Sequence, residues 1–150
     1  MVLAALLAGC GAYTRHQFVA RADAICTAAT RQARSLTPPV LGTGASATQS
    51  VAGYFDKVAS IVGTEARALR RLPRPVQTSR RRSELSAYLA AIQAAAAGFD
   101  AAALAAASGN PGRLRGVESA LAASPVQARA AAYGLRACAA PGATGGSTTY

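Results

Sequence analysis

Four stretches of apolar residues at three- and four-residue spacing, each entered through a capping sequence and left through proline or glycine, restrict this chain to a helical fold. Thr14-Arg15-His16-Gln17 has capping-box spacing, and Phe18, Ala22, Ile25 and Ala29 continue one apolar face to about Leu36. Thr37-Pro38-Pro39 ends that helix, and Leu41-Gly42-Thr43-Gly44-Ala45 reads as a loop. Ser46-Ala47-Thr48-Gln49 opens a second helix carrying Val51, Tyr54, Phe55, Val58, Ile61, Val62, Leu69 and Leu72. Pro73-Arg74-Pro75 breaks it, and Pro75 is expected to be the first residue of a third helix. Leu85, Tyr88, Leu89, Ile92, Phe99 and Leu104 form the third stripe, which should end near Ser108-Gly109. Asn110-Pro111 then makes a cap and first-turn pair for a fourth helix with Leu114, Val117 and Leu121. Ser124-Pro125-Val126-Gln127 is a further capping box inside it, so this last helix kinks or restarts near Pro125 before Tyr133, Leu135 and Cys138.

Short connections between amphipathic helices predict an all-α, up-and-down four-helix bundle over residues 14–138, with a disordered tail from Ala139. Abundant alanine, the absence of tryptophan and few β-branched residues agree with helix over sheet. An alanine-rich core buries little area per residue, so a covalent cross-link would be a useful supplement. Phe18, Phe55 and Phe99 are read as core, and Tyr54, Tyr88 and Tyr133 as core-edge residues with hydroxyls toward water.

The first eleven residues carry no charge and end in Leu7-Ala8-Gly9-Cys10-Gly11. Small residues around a cysteine directly after an apolar run resemble the lipobox of bacterial lipoproteins, in which the cysteine is acylated and becomes the mature N-terminus. On that reading residues 1–9 are the remnant of a signal peptide, whose basic start would lie upstream of Met1, and residues 10–13 are a lipidated linker. The competing reading makes Val2 to Leu7 the start of a buried helix. Lipidation of Cys10 leaves Cys26 and Cys138 as an even pair, which an oxidising compartment favours joining; otherwise both are small buried residues of a reduced protein.

Beyond the lipobox, Ala24-Ile25-Cys26, Leu69-Arg70-Arg71-Leu72-Pro73 and Tyr133-Gly134-Leu135-Arg136-Ala137-Cys138 resemble small exported helical lipoproteins of high-GC actinobacteria. The resemblance implies pairing of Cys26 with Cys138 and a location on the extracytoplasmic face of the membrane. It brings no active site.

Chemistry-bearing patterns are sparse. His16 and Asp23 lie seven residues apart, about 10 Å along a helix, too far to share an ion without further ligands. The six carboxylates are scattered, and no HExxH, GxSxG or Walker A pattern occurs. No catalysis, metal or cofactor is therefore expected. Charge is the outstanding feature: the net charge is +10, Lys57 is the only lysine, and Arg67, Arg70, Arg71, Arg74, Arg80, Arg81 and Arg82 crowd the second turn. Arg67, Arg70 and Arg71 complement the dipole at the end of the second helix, whereas Arg80, Arg81 and Arg82 oppose that at the start of the third. In an up-and-down bundle leaving the membrane at Cys10, this turn returns toward the bilayer, with Arg15 and Arg136 at the same end.

The expected role is that of a non-catalytic, lipid-anchored envelope protein, structural or binding, with the acylated Cys10 in membrane lipid and the arginines on anionic lipid or a cell-envelope polymer. The alternative is a soluble helical protein that binds a ligand or nucleic acid. A nucleic-acid partner is not expected, because the aromatics are assigned to the core and leave no stacking platform.

Overall fold

Thr14 opens the first helix as its spacing requires. In the computed structural model, which describes residues 12–39, 42 and 44–142, α1 (Arg15–Arg34) starts where the Thr14 side chain accepts from the Gln17 amide and the Gln17 side chain accepts from the Thr14 amide at 2.9 Å. The described residues form helices and connections only. Residues 1–11, including Cys10 and the signal-peptide remnant, lie outside them, as does the tail from 143; Ala139 itself still belongs to a helix.

Helix α2 (Ala45–Arg71) starts one residue before the expected capping box and has no side-chain cap. Gly44 is the N-cap, at φ 106°, and the Thr48 hydroxyl donates to the Gly44 carbonyl at 3.1 Å, which leaves Ser46 inside the helix. Helix α3 (Ser79–Ala107) corrects the expected start at Pro75 by four residues. Thr78 caps it by accepting from the Arg81 amide at 3.4 Å. Pro75 is instead a buried member of the extended 72–78 connection, whose Gln77 is held by the Tyr133 hydroxyl.

Helix α4 (Pro111–Ala122) has the expected Asn110 cap, with Pro111 in the first turn. The break near Pro125 is complete, but Pro125 is itself the N-cap of α5 (Val126–Tyr133) and Ser124 makes no cap bond. A second break, unforeseen in the sequence, follows at Gly134. Its left-handed φ of 96° lets the Gly134 and Leu135 amides bond back to the Ala130 carbonyl before the short α6 (Arg136–Ala139).

Helices α2 and α3 pack along their lengths as an antiparallel pair; α1 lies on α2, α4 and α5 lie on α3, and α6 folds back onto α1. Phe18, Phe55, Leu69, Ile92, Val126 and Leu135 fill the centre, with the Phe18 ring edge-on to Tyr133 at 5.8 Å and Phe55 stacked on Phe99 at 6.5 Å. Tyr88 and Tyr133 are fully buried rather than at the core edge, whereas Tyr54 is half-buried. Their hydroxyls meet protein, Tyr88 against the Cys26 sulfur at 3.6 Å and Tyr133 on Gln77 at 2.8 Å. Leu104 departs from the expected stripe and is 67% exposed, because Ala102, Ala105 and Ala106 take the inward positions of that turn. Helix α4 buries no residue; Leu114, Val117 and Leu121 are half-buried on α3.

Cys26 and Cys138 form a disulfide, with Cα atoms 5.1 Å apart and a sequence separation of 112. The reduced-core reading of these residues is thereby set aside. Asp23, one turn before Cys26, accepts from the Ala137 amide at 2.9 Å and the Arg136 amide at 3.3 Å, so one face of α1 both caps α6 and bonds to it.

Candidate functional site

The arginines of the second turn separate into three groups once folded. Arg80 and Arg81 both bond Glu84, at 3.1 and 2.8 Å, and Arg81 also donates to the Ala132 carbonyl. Opposition to the α3 dipole is thus met by an acid one turn on, and not by solvent or a partner alone. Partial desolvation works to raise the Glu84 carboxyl, but hydrogen bonds and charge from Arg80 and Arg81 outweigh it and hold the carboxyl below its ordinary range. Arg67 forms a second group: it donates to the Thr64 hydroxyl at 3.0 Å and lines a depression of about 380 Å³ with Asp56 and Asp100, which Arg70 and Gln93 also border. Arg71 is exposed.

Arg70, Arg74 and Arg82 form the third group, around a groove of about 440 Å³ between the end of α2, the 72–78 connection and the first turns of α3. No carboxylate lines it, and the only ion pairs among the described residues are those of Glu84. Leu85, Leu89 and Pro75 supply apolar wall. Gln77 and Gln93 are oriented by neighbours: the Tyr133 hydroxyl donates to the oxygen of Gln77, and Arg70 donates to the oxygen of Gln93. Both amide groups are left with their nitrogens to donate. With the Ser86 hydroxyl, the groove presents donors almost exclusively, which suits a ligand rich in acceptors and poor in protons.

Residues distant in sequence support this end. Arg15 donates to the Tyr133 carbonyl and lies over the Tyr133 ring at 5.3 Å from its centroid. Burial raises the Tyr133 hydroxyl, and the charges of Arg15, Arg81 and Arg74 oppose that rise. Arg15 therefore shares this end with the turn, as the up-and-down reading expected, but as a structural anchor. The roles of Gln77, Gln93 and Tyr133 depend on contacts that no local pattern encodes.

A second feature that sequence reasoning passed over is Glu65 on α2. It is 2% exposed, and neither carboxyl oxygen has a hydrogen-bond partner. Burial pushes its pKa up to about 8, so it is largely protonated at neutral pH. Tyr88 is close enough that the Glu65 and Asp23 charges add to burial in raising its hydroxyl far above the ordinary range. Glu65 lines none of the surface depressions described, so it reads as a buried acid and not as a site-forming one.

His16 is exposed, and no group of three His, Cys, Asp or Glu side chains is placed to hold a metal among the described residues. Among the described residues, helix α3 alone is long and apolar enough to cross a membrane by length and composition, yet half of its most apolar window is packed inside the protein. Cys10, the expected lipid attachment point, falls outside the described residues. No family model, curated protein or solved structure matches the chain.

Proposed function

We propose that this chain is an exported, lipid-anchored envelope protein without catalysis, acylated at Cys10, whose basic end meets anionic headgroups or an anionic envelope polymer. The observation that carries the reading is the gathering of Arg70, Arg74 and Arg82 around one groove that no carboxylate lines. Like charges held together repel, and the arrangement is favoured when an anion occupies it. The Cys26–Cys138 disulfide supports an oxidising location, since such bridges are rare in reducing compartments. The architecture is taken as an up-and-down bundle of four arms, the fourth being the broken series α4, α5 and α6. In that arrangement the 72–78 connection and the N-terminal end of α1 share one pole, so that a lipid on Cys10 and the arginines address the same surface.

Two measurements test it. Intact mass of the protein extracted from membranes should carry the added mass of acyl chains on Cys10. Unlipidated protein should sediment with anionic vesicles at low salt, and the double reversal Arg74→Glu, Arg82→Glu should abolish this. Unchanged sedimentation of the double variant overturns the proposal.

A further inference from the structure

Beside the arginine groove runs a larger, mostly apolar one of about 910 Å³, bounded by α4 and the start of α5. Its floor is Ala94, Gly98 and Ala101 of α3, its far wall is Val117, Ala120 and Leu121 of α4, and Arg113 and Arg129 also line it. Ala90 lines both grooves, so the donor-rich depression and the apolar one adjoin at that residue. From Ala90 to Ala101 the apolar groove follows α3 for about 16 Å. We infer that the two grooves form a single site for a phosphate-headed lipid, with the phosphate between Arg74 and Arg82 and one acyl chain lying along Ala94, Gly98 and Ala101. This rests on the proposed contact with anionic lipid and turns a diffuse attraction into a defined pocket.

The polar half specifies the head. Three guanidinium groups, two amide nitrogens and one hydroxyl converge with no carboxylate among them, and a phosphate ester offers acceptors and charge in return. A zwitterionic head would bring a cation among arginines with no acid to receive it. The apolar half specifies the tail. Helix α3 has the hydropathy of a membrane-crossing segment, but half of its most apolar window is not buried by the protein, and Ala90 and Ala94 of this groove face outward. Small side chains leave a channel there instead of a filled interface.

The wall of the channel is also suited to adjustment. Helix α4 contacts α3 alone among the helices, buries no residue, and is bounded by Gly109 at φ 64° and by Pro125. It is seated by Leu121 against Gly98, where a Cβ would lie 2.6 Å from a Leu121 methyl. A shift of α4 widens the channel without disturbing the disulfide or the α2–α3 core.

The test is calorimetric titration of the full chain with lysophosphatidic acid below its micelle concentration, beside glycerol 3-phosphate and a lysophosphatidylcholine of the same chain length. Lysophosphatidic acid should bind one to one and at least about tenfold more tightly than either, the gain expected from burying several methylenes and from charge-assisted bonds. Arg74→Gln and Arg82→Gln should each weaken it by about tenfold, as loss of a charge-assisted hydrogen bond does. Ala94→Glu, at an exposed helical position of the channel, should weaken it similarly, and Arg31→Gln, which removes one charge from the distant end of α1, should leave it unchanged. Equal affinity for lysophosphatidic acid and glycerol 3-phosphate, or an unaffected Ala94→Glu, overturns the inference. Vesicle sedimentation separates the two proposals: binding to anionic vesicles without one-to-one binding of the monomeric lipid sinks this one alone, and the converse sinks surface attraction alone.

Discussion

Replacing Glu65 by glutamine should make the protein more stable, and by an amount that grows with pH. The carboxyl is 2% exposed with both oxygens unpartnered, and its pKa is raised by burial from 4.5 to about 8. Between those values the folded state keeps a proton that the unfolded state has released, so raising the pH favours unfolding by about 1.4 kcal/mol per unit. The acid contributes its full stability below the unfolded value and loses it as the pH climbs through the folded one. Linkage puts the penalty at about 1 kcal/mol at pH 5 and about 4 kcal/mol at pH 8. Glutamine keeps the shape and cannot ionise, so the difference between variant and wild type should widen by about 3 kcal/mol over that interval. In urea denaturation the gap between midpoints should grow by about 1 to 2 M, taking a slope usual for a chain of this size. Other titrating groups cancel in the comparison of the two proteins. Parallel stability curves for wild type and Glu65→Gln across this range would refute the reasoning, since they would mean that the carboxyl ionises as readily folded as unfolded. Glu65→Met should be more stable than wild type even at the acid end, by about 1 kcal/mol or more, because it also removes two buried oxygens that lack partners.

Three further outcomes follow from the packing. Substituting both Cys26 and Cys138 by alanine should cost about 5 kcal/mol in the chain-entropy treatment of a loop spanning 112 residues, read as a fall in the urea midpoint. Asp23→Ala removes the acceptor of the Arg136 and Ala137 amides and should cost about 1 to 2 kcal/mol, with hydrogen exchange accelerated first at those two amides. Gly98→Ala should destabilise by displacing Leu121, whereas in a Leu121→Ala background it should stabilise by up to about 1 kcal/mol through helix propensity; a double-mutant cycle reads the change of sign.

Local rules carried most of the secondary structure. The Thr14 box, the Asn110-Pro111 start and the close of α3 at Ser108-Gly109 lie where residue preference alone puts them, because each satisfies a helix end with atoms only a few residues away. Pro75 misled because two equally good starts compete there, and the choice of Thr78 depends on Tyr133 holding Gln77 from across the fold. The Gly134 break belongs with it: a single glycine near a chain end is ambiguous until Asp23 supplies the amide partners that make a new helix start. Burial of Tyr88 and Tyr133 was hidden because a tyrosine on an apolar stripe is compatible with edge or centre, and the partner of its hydroxyl decides. Of the candidate site, the arginines were visible as a cluster. Which of them are neutralised by Glu84 and which remain around a groove follows from side-chain direction on α2 and α3, which composition does not carry. Cys10 and the anchor it implies are visible only in the sequence.

The C-terminal segment links stability to the site. Helices of eight and four residues are far too short to persist alone, so α5 and α6 owe their order to tertiary bonds. Those bonds run to the residues that shape the basic end: Ala132 receives Arg81, the Tyr133 carbonyl receives Arg15, the Tyr133 hydroxyl orients Gln77, and Cys138 closes onto Cys26. Arg15 leaves Gly134 no room for a side chain, which ties the left-handed turn to the same contact. The residues after Pro125 thus act as a clamp over the 72–78 connection, and the disulfide fixes the far end of that clamp. A cluster of like charges would otherwise favour loosening of the turn that carries it. Holding Gln77 from the opposite side of the fold fixes one wall of the groove in advance, so on the proposed reading an incoming anion would meet a partly ordered arrangement and forgo part of the entropy cost of assembling it.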